Sequence, residues 1–163
     1  MITDDDLEKL FIREGPESDH PNDTGGRTKW GISETANPDL WADGEVTKDE
    51  AILRYRAHYI TRNGIEKLPS PLDKNVFDFG VTSGPSRAVK TLQFLLGVEQ
   101  DGRIGPRTLD ALASKDVRLI NNLYCAARET FYRSIVRHDP SQKVFLKGWL
   151  KRAKTFYAPA PAG

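Results

Sequence analysis

Residues 14–33 read EGPESDHPNDTGGRTKWGIS, and this stretch decides the fold prediction because it combines a helix end, a cluster of turn formers and a short alternating segment. Just before it, the apolar residues Leu7, Leu10 and Phe11 recur with helical spacing, which predicts an amphipathic first helix. Glu14 is the next position on the apolar face of that helix. The helix would end there, because Gly15-Pro16 stops it, with a carboxyl group directed toward the apolar side.

A carboxyl group in that position suits general acid catalysis. Partial withdrawal from water disfavours the charged form and raises the pKa of a carboxyl group, as a general acid needs near neutral pH. Asp23 follows among turn formers, and Thr28 lies in an expected hairpin arm over residues 27–32. Together they could flank a scissile bond, with Glu14 protonating the leaving oxygen while a second polar group positions or activates water. The alternative is that Glu14 is only a solvated residue at the helix end.

Composition and charge exclude several classes of function. The 163-residue chain is 38% hydrophobic and 29% charged, as in a soluble globular protein that can bury a proper core. Its 24 Lys and Arg residues nearly balance 23 Asp and Glu residues, for a formal charge of +1, so we expect no nucleic-acid partner. No apolar run approaches the ~18 residues of a membrane span, so we expect no stable membrane insertion. The chain is expected to be a monomer.

The cysteine content and the first residues bear on the compartment. Cys125 is the single cysteine and cannot form an internal disulfide, which favours a reducing compartment. Its apolar neighbours on a predicted helix favour core packing over a nucleophilic role. The first residues lack a basic region followed by an apolar one, so we expect no export signal.

No metal site and no cofactor are expected. The three histidines, His20, His58 and His138, lie far apart and without the spacing of zinc ligands. Residues 22–26 superficially resemble a calcium loop but lack its alternating oxygen ligands and terminal Glu. The carboxylate site is therefore predicted to act without a metal.

The rest of the chain is predicted to be mainly helical. A capping box at residues 47–50 starts a helix to Ile60 or Arg62, and Phe94 and Leu95 make a later helix apolar on more than one face, which suggests a central position. The further helices are expected from residue 72 to a stop at 84–85, from there to Gly97, over 116–136, and over a last segment from Val144 to Phe156. The cationic residues of that last segment are expected to form a solvated face: Lys147, Lys151, Arg152 and Lys154.

Two segments outside the helices are interpreted from their composition. Residues 101–106 form a turn and helix start, and a structural turn and a ligand contact both stay open. Residues 158–163 are rich in Ala and Pro and are expected to be a disordered tail.

Several of these residues resemble the signature of a known family. The matching positions are Glu14-Gly15, Pro21-Asn22-Asp23, Gly25-Gly26, Thr28 and Gly31-Ile32. They resemble the EGG…NDPGG.T..GI pattern of the glycoside hydrolase family 108 muramidases, which are mostly phage endolysins. The Glu, Asp and Thr spacing is also similar to the catalytic triad of T4-type lysozymes, with one residue fewer between Asp and Thr. Residues 76–112 resemble the C-terminal half of the family, often described as peptidoglycan-binding, and residues 145–153 resemble its usual ending.

The resemblance implies a mainly α, lysozyme-like fold with a small β-hairpin lobe after the first helix and a helical C-terminal lobe. One muramidase domain is implied over residues 1–157, with a catalytic portion to about residue 70 and a helical portion over about 71–157. The implied catalytic residues are Glu14, Asp23 and Thr28. The expected substrate contacts are His20 and Thr82, which replace the family's Asp and Asn, together with Ser83 and Trp30. Trp30 could equally be a core residue between hairpin and helix.

The implied function is that of an endolysin. Such an enzyme hydrolyses the β-1,4 bond between N-acetylmuramic acid and N-acetylglucosamine in the glycan strands of peptidoglycan and lyses the cell. Inversion is favoured by the resemblance to T4-type lysozymes, although a nucleophilic role for Asp23 stays open. The expected location is the host bacterial cytoplasm, with release to the periplasm and cell wall through a holin-type lesion, or else that of a secreted effector.

Two other functions also stay open. A lytic transglycosylase would use a single acid on the same bond and close a 1,6-anhydro ring. A non-catalytic peptidoglycan-binding module would rest on residues 101–112.

Overall fold

The computed structural model describes residues 1–14, 17–18 and 27–159. The chain divides into two compact units, here called the hairpin unit (Ile2–His58) and the helical unit (Tyr59–Gly163, with Met1). The division falls earlier in the chain than the predicted change near residue 70. Within the described residues, no helix is both long and apolar enough to cross a membrane.

The hairpin unit contains the predicted first helix, three short strands and two further helices. Its elements are α1 (Asp4–Glu14), β1 (Glu17–Ser18), β2 (Thr28–Lys29), β3 (Ile32–Ser33), α2 (Pro38–Trp41) and α3 (Lys48–Tyr55). The strands form one antiparallel sheet in the order β1-β2-β3. This confirms the predicted hairpin and adds β1 as a third strand.

Local chemistry explains where the helices of the hairpin unit begin. The Thr3 hydroxyl accepts a hydrogen bond from the Asp6 N–H at 3.2 Å, and the Asp6 carboxylate accepts one from the Thr3 N–H at 2.8 Å, so both ends of this pair satisfy donors at the start of α1. The predicted capping box of Thr47 and Glu50 is present at the start of α3. Leu7 and Leu10 of α1 and Ala51, Ile52 and Tyr55 of α3 are buried. Among the described residues of this unit, the buried hydrophobic side chains also include Ile2, Ile32, Trp41 and Val46.

The chain changes its helical winding where the helical unit begins. The chain leaves α3 through a π-helical segment, Arg56–Thr61, and a 3₁₀ turn, Ile65–Lys67. The remaining elements are α4 (Leu72–Ser83), α5 (Pro85–Leu96), α6 (Pro106–Ala113), α7 (Val117–His138), a 3₁₀ turn (Pro140–Gln142) and α8 (Lys143–Lys154). The predicted stop and restart at residues 84–85 is confirmed, with Pro85 in the first turn of α5.

Aromatic rings organise the core of the helical unit. Phe79 is fully buried and meets the rings of Tyr124, Phe131 and Tyr132 edge-on, with ring centroids 5.9, 5.4 and 5.7 Å away. Such pairs add about 0.5–1.5 kcal/mol each beyond the burial of apolar area. Cys125 is buried in the same region, and burial raises the pKa of its thiol, which confirms core packing for this residue.

Three sequence-based expectations about the helices are corrected. Phe94 is 69% exposed, so the second apolar face of α5 is not covered within the described residues. Arg152 does not lie on a solvated face, because it pairs with the buried Asp78 at 2.9 Å. The last helix ends at Lys154, before Phe156, and Ala158 is held beyond it by the Asn122 side chain, whose Oδ1 accepts its N–H at 2.8 Å.

A buried polar network links α4 to α7 and α8. The Arg128 side chain is fully buried and donates to Asp78 Oδ2 at 2.7 Å, to Asn75 Oδ1 at 2.9 Å and to the Tyr132 hydroxyl at 3.0 Å. Burial alone would raise the pKa of Asp78, but the hydrogen bond from Arg152 and the charge of Arg128 hold it below its usual value. Asp78 therefore stays ionised and serves as the shared counterion of two arginines.

Candidate functional site

A two-residue turn forms the tip of the hairpin. Trp30 and Gly31 connect β2 to β3 and both have positive φ, 55° and 75°, the pattern of the turn whose twist matches the flanking strands. Two features require glycine at position 31. Its φ disfavours a side chain, and an added Cβ would collide with the Tyr55 hydroxyl. Trp30 lacks the conformational freedom of glycine, and a bulky residue with positive φ is unusual and strained. The half-buried Trp30 ring is therefore held at a defined place by the hairpin unit.

Thr28 begins the central strand of the sheet. It lies opposite Ser18 of β1 on one side and Ser33 of β3 on the other. The Thr28 side chain is half-buried. Its backbone is thus fixed by both neighbouring strands, which suits a residue that must hold a small ligand such as water in place.

Ion pairs secure the strands around Thr28. Arg27 donates to Glu34 at 3.0 and 3.2 Å and lies over the Trp41 ring at 4.7 Å. Lys29 donates to Glu45 at 2.7 Å. Hydrogen bonds from Arg27 and Lys29 hold the pKa of Glu34 and of Glu45, respectively, below the usual range. Neither carboxylate suits a general acid, which needs a raised pKa.

The three predicted catalytic residues differ in how far the structure describes them. Glu14 is the last residue of α1, as predicted, and it comes four residues before Ser18, which pairs with Thr28. Asp23 lies in the chain between β1 and β2, and so does His20; both are outside the described residues. The backbone order therefore agrees with the predicted arrangement for Glu14 and Thr28, and the roles of all three residues stay predictions.

Thr82 and Ser83 lie in the last turn of α4, in the helical unit. The Thr82 hydroxyl is within hydrogen-bonding distance of the Tyr132 hydroxyl at 2.8 Å and donates to the Phe79 carbonyl at 3.1 Å. Through Tyr132, Thr82 is connected to Arg128 and the buried network. The structure thus assigns Thr82 a part in holding the end of α4, while its predicted substrate contact is untested.

Ser83 lines a groove of about 830 Å³ in the helical unit. The groove is formed by the α4–α5 junction, one face of α5 and the loop before α6. Its lining residues are Arg62, Asn63, Ser83, Gly84, Pro85, Ser86, Arg87, Lys90, Thr91, Phe94, Gln100, Asp101, Gly102 and Arg103. This volume is in the range of ligand sites in proteins.

Sequence reasoning named Ser83 and residues 101–106 as possible ligand contacts, but it did not predict that Ser83 and residues 101–103 line one groove, and it missed the buried network. A further local signal for the groove was the i, i+3 spacing of Arg87 and Lys90 on one helix. Its other cations, Arg62 and Arg103, are distant in sequence and become neighbours only in the folded unit. Among the described residues, no cluster of three or more potential metal ligands is present.

Comparisons with known proteins find two family descriptions along the chain and a similar solved structure. The family description Glycosyl hydrolase 108 matches residues 7–84, and the description Predicted Peptidoglycan domain matches residues 87–154. A solved structure titled "Structure of Brucella abortus SagA" is similar over 96% of this chain and 95% of that chain, with 32% sequence identity and a TM-score of 0.70. Among curated protein sequences, none matched this chain.

Proposed function

This chain belongs to the glycosyl hydrolase 108 family, and on that premise we propose that it hydrolyses the β-1,4 bond between N-acetylmuramic acid and N-acetylglucosamine of peptidoglycan. The observation that carries the proposal is the order of backbone elements in the hairpin unit. Glu14 ends α1, and the strand pair that follows sets Thr28 opposite Ser18, four residues after Glu14. This order supports a helix-end acid beside a strand that can hold the attacking water.

In the proposed reaction, Glu14 donates a proton to the glycosidic oxygen as the bond to the anomeric carbon breaks. Asp23 accepts a proton from the attacking water, and Thr28 orients that water on the face opposite the leaving group. This division of roles describes an inverting hydrolase, in which acid and base carboxyl groups stand ~6.5–9.5 Å apart to make room for water. The β-linked glycan would then yield an α-anomeric product.

The decisive experiment compares Glu14→Gln with Glu8→Gln. Glutamine keeps the shape of Glu14 but cannot donate the proton, so lysis of permeabilised Gram-negative cells should fall by about 10²–10⁴-fold. Glu8 lies on the same helix in an exposed ion pair with Lys48 at 3.1 Å, which contributes little to stability. The control variant should therefore lyse cells at the wild-type rate, whereas full activity of Glu14→Gln would remove Glu14 from catalysis.

Product analysis decides the type of reaction. Mass spectrometry of released muropeptides should show reducing ends, and proton NMR of fresh product should show the α-anomer. A 1,6-anhydro product would identify a transglycosylase instead. A glycosyl-enzyme adduct would indicate that Asp23 is a nucleophile, and the absence of any cleavage would indicate a binding module.

We also propose that the protein acts as an endolysin, reaching the wall from the bacterial cytoplasm through a membrane lesion. A single buried cysteine fits synthesis in a reducing compartment. Cell fractionation tests this point: the protein should stay in the cytoplasm until the membrane is permeabilised. Recovery from the medium of intact cells would favour a secreted effector.

A further inference from the structure

The groove of the helical unit is strongly cationic, although the chain as a whole is nearly neutral. Among the described residues, four cationic side chains line it, against one carboxylate, that of Asp101, while the net charge of the entire chain is +1. The four are Arg62, Arg87, Lys90 and Arg103. The positive charge is therefore concentrated at this place, where it can attract and hold an anionic group.

Three of these cations are available to a ligand. Arg62, Lys90 and Arg103 are exposed, and within the described parts of the chain none of them forms a close ion pair. Arg87 differs, because its guanidinium lies 4.7 Å from the Phe131 ring centroid and helps to pack α5 against α7. Arginines without an internal partner can bind carboxylates through two parallel hydrogen bonds.

The loop that carries Asp101 and Arg103 is held in one conformation. The buried Gln93 side chain accepts the Gly102 N–H at 3.0 Å, and its amide lies 2.8 Å from Asp101 Oδ1 and 2.9 Å from the Arg103 carbonyl. The Asn63 amide donates to the Gly102 carbonyl at 2.7 Å. Gly102 has φ +79° and passes close to Ser86, so that an added Cβ would lie 3.1 Å from the Ser86 hydroxyl. The loop backbone and the Asp101 carboxylate are thus positioned before any ligand arrives, which reduces the entropy lost on binding.

Asp101 gives the groove a second kind of recognition. Hydrogen bonds from the Arg103 N–H and from Gln93 hold the pKa of Asp101 below its usual range. The carboxylate stays ionised at the rim of a cationic groove and can accept hydrogen bonds from an ammonium group. The exposed Phe94 ring adds an apolar wall on the same face of α5. A ligand that combines carboxylates, an amine and short apolar side chains matches this set of groups.

We propose that this groove binds the acidic peptide branches of peptidoglycan, not its sugars. This inference rests on the proposed function for the identity of the polymer. The N-acetylhexosamine rings offer mainly neutral hydroxyl and amide groups, whereas the peptide branch carries several carboxylates and a free amine. Arg62, Lys90 and Arg103 pair with the carboxylates, and Asp101 accepts the amine.

The test measures binding of the full chain to a soluble peptide branch released from purified sacculi by an amidase. The variant Arg62→Gln/Lys90→Gln/Arg103→Gln removes the three available charges, and Lys115→Gln/Arg118→Gln/Arg137→Gln is the matched control. The control residues are exposed and none lines the groove. We expect the groove variant to bind at least about tenfold more weakly by calorimetry, because three exposed charge-assisted contacts are lost. The control should stay within about twofold of the wild type, and both should keep the wild-type melting temperature.

Two further arms separate possible sources of the anionic group. Wild-type protein should bind intact sacculi more strongly than sacculi stripped of peptide. The groove variant and the wild type should bind equally to vesicles containing phosphatidylglycerol. Equal binding to stripped and intact sacculi, or equal affinity of the groove variant and the wild type for the peptide, overturns the proposal. Loss of vesicle binding alone would assign the groove to lipid phosphate and would also overturn it.

The peptide titration requires no hydrolysis, so it is independent of catalysis. Peptide binding by a wild-type protein that cleaves no glycan would leave this inference intact and remove the proposed hydrolase. Cleavage without peptide binding would give the opposite result.

Discussion

Replacement of Asp78 by Asn is expected to destabilise the helical unit strongly. Asp78 is the shared counterion of Arg128, at 2.7 Å, and Arg152, at 2.9 Å, and the Arg128 side chain is fully buried. Asparagine nearly keeps the volume but removes the charge, which leaves a guanidinium in the core without an anion. Breaking a buried pair in this way costs about 3–5 kcal/mol, close to the ~4 kcal/mol expected for opposite charges about 4 Å apart at an effective dielectric constant of 20.

That loss should be visible in thermal and urea unfolding. For a chain of this size, each kcal/mol shifts the melting temperature by about 2–4 °C, so Asp78→Asn should lower it by about 6–20 °C. The matched control is Asp110→Asn, because Asp110 is exposed on α6 and makes no ion pair among the described residues. The control should stay within about 0.5 kcal/mol of the wild type. A loss below about 1 kcal/mol in Asp78→Asn would refute the reasoning that Arg128 depends on this carboxylate.

The same pair of proteins gives a test by pH. The pKa of Asp78 is lowered in the folded state, so its contribution to stability is complete above the unfolded value of about 3.9. As the pH falls below that value and through the lower folded pKa, the carboxylate becomes protonated and the contribution is lost. The difference in unfolding free energy between the wild type and Asp78→Asn should therefore be constant near neutral pH and shrink in acid. A difference that grows on acidification would contradict the assignment.

Two further predictions concern the hairpin tip. Gly31→Ala should lower the free energy of unfolding by about 1–3 kcal/mol, because φ +75° is strained for alanine and the new Cβ meets the Tyr55 hydroxyl. The control Gly148→Ala, in the open interior of α8, should be neutral or stabilising by up to about 1 kcal/mol. Equal unfolding free energies for the two variants would show that the tip is not constrained. Trp30→Gly removes the ring and also the backbone strain of a tryptophan at φ 55°. A fall in substrate affinity at a near wild-type melting temperature would support a sugar contact. A large fall in melting temperature with unchanged affinity per folded molecule would show that the ring only packs.

Much of the local structure could be predicted because it depends on neighbours in sequence. The capping box at Thr47, the restart of the helix at Pro85 and the hairpin after residue 27 each follow from hydrogen bonds or backbone preferences within a few residues. The end of α1 at Glu14 was predicted in the same way, from the Gly15-Pro16 pair that follows it. The family signature over residues 14–32 added expected roles for Glu14, Asp23 and Thr28, which catalytic measurements must test.

The features that could not be predicted join residues distant in the sequence. Arg152 was expected to face solvent because its neighbours are lysines, yet it reaches Asp78, 74 residues earlier in the chain. Phe94 was expected in a central helix because of its apolar neighbours, yet no described element covers it.

The sequence by itself determined where several helices begin, the hairpin after residue 27 and the family to which the chain belongs. Only the tertiary structure decided which charges meet. Opposite charges at Asp78 and Arg128 were brought into a buried pair, where the low dielectric makes their attraction large. Like charges at Arg62, Lys90 and Arg103 were gathered around one groove, where Asp101 is the one carboxylate among the described lining residues. Composition gives the number of charges, whereas burial and distance decide whether they form pairs that stabilise the core or lie exposed around a groove.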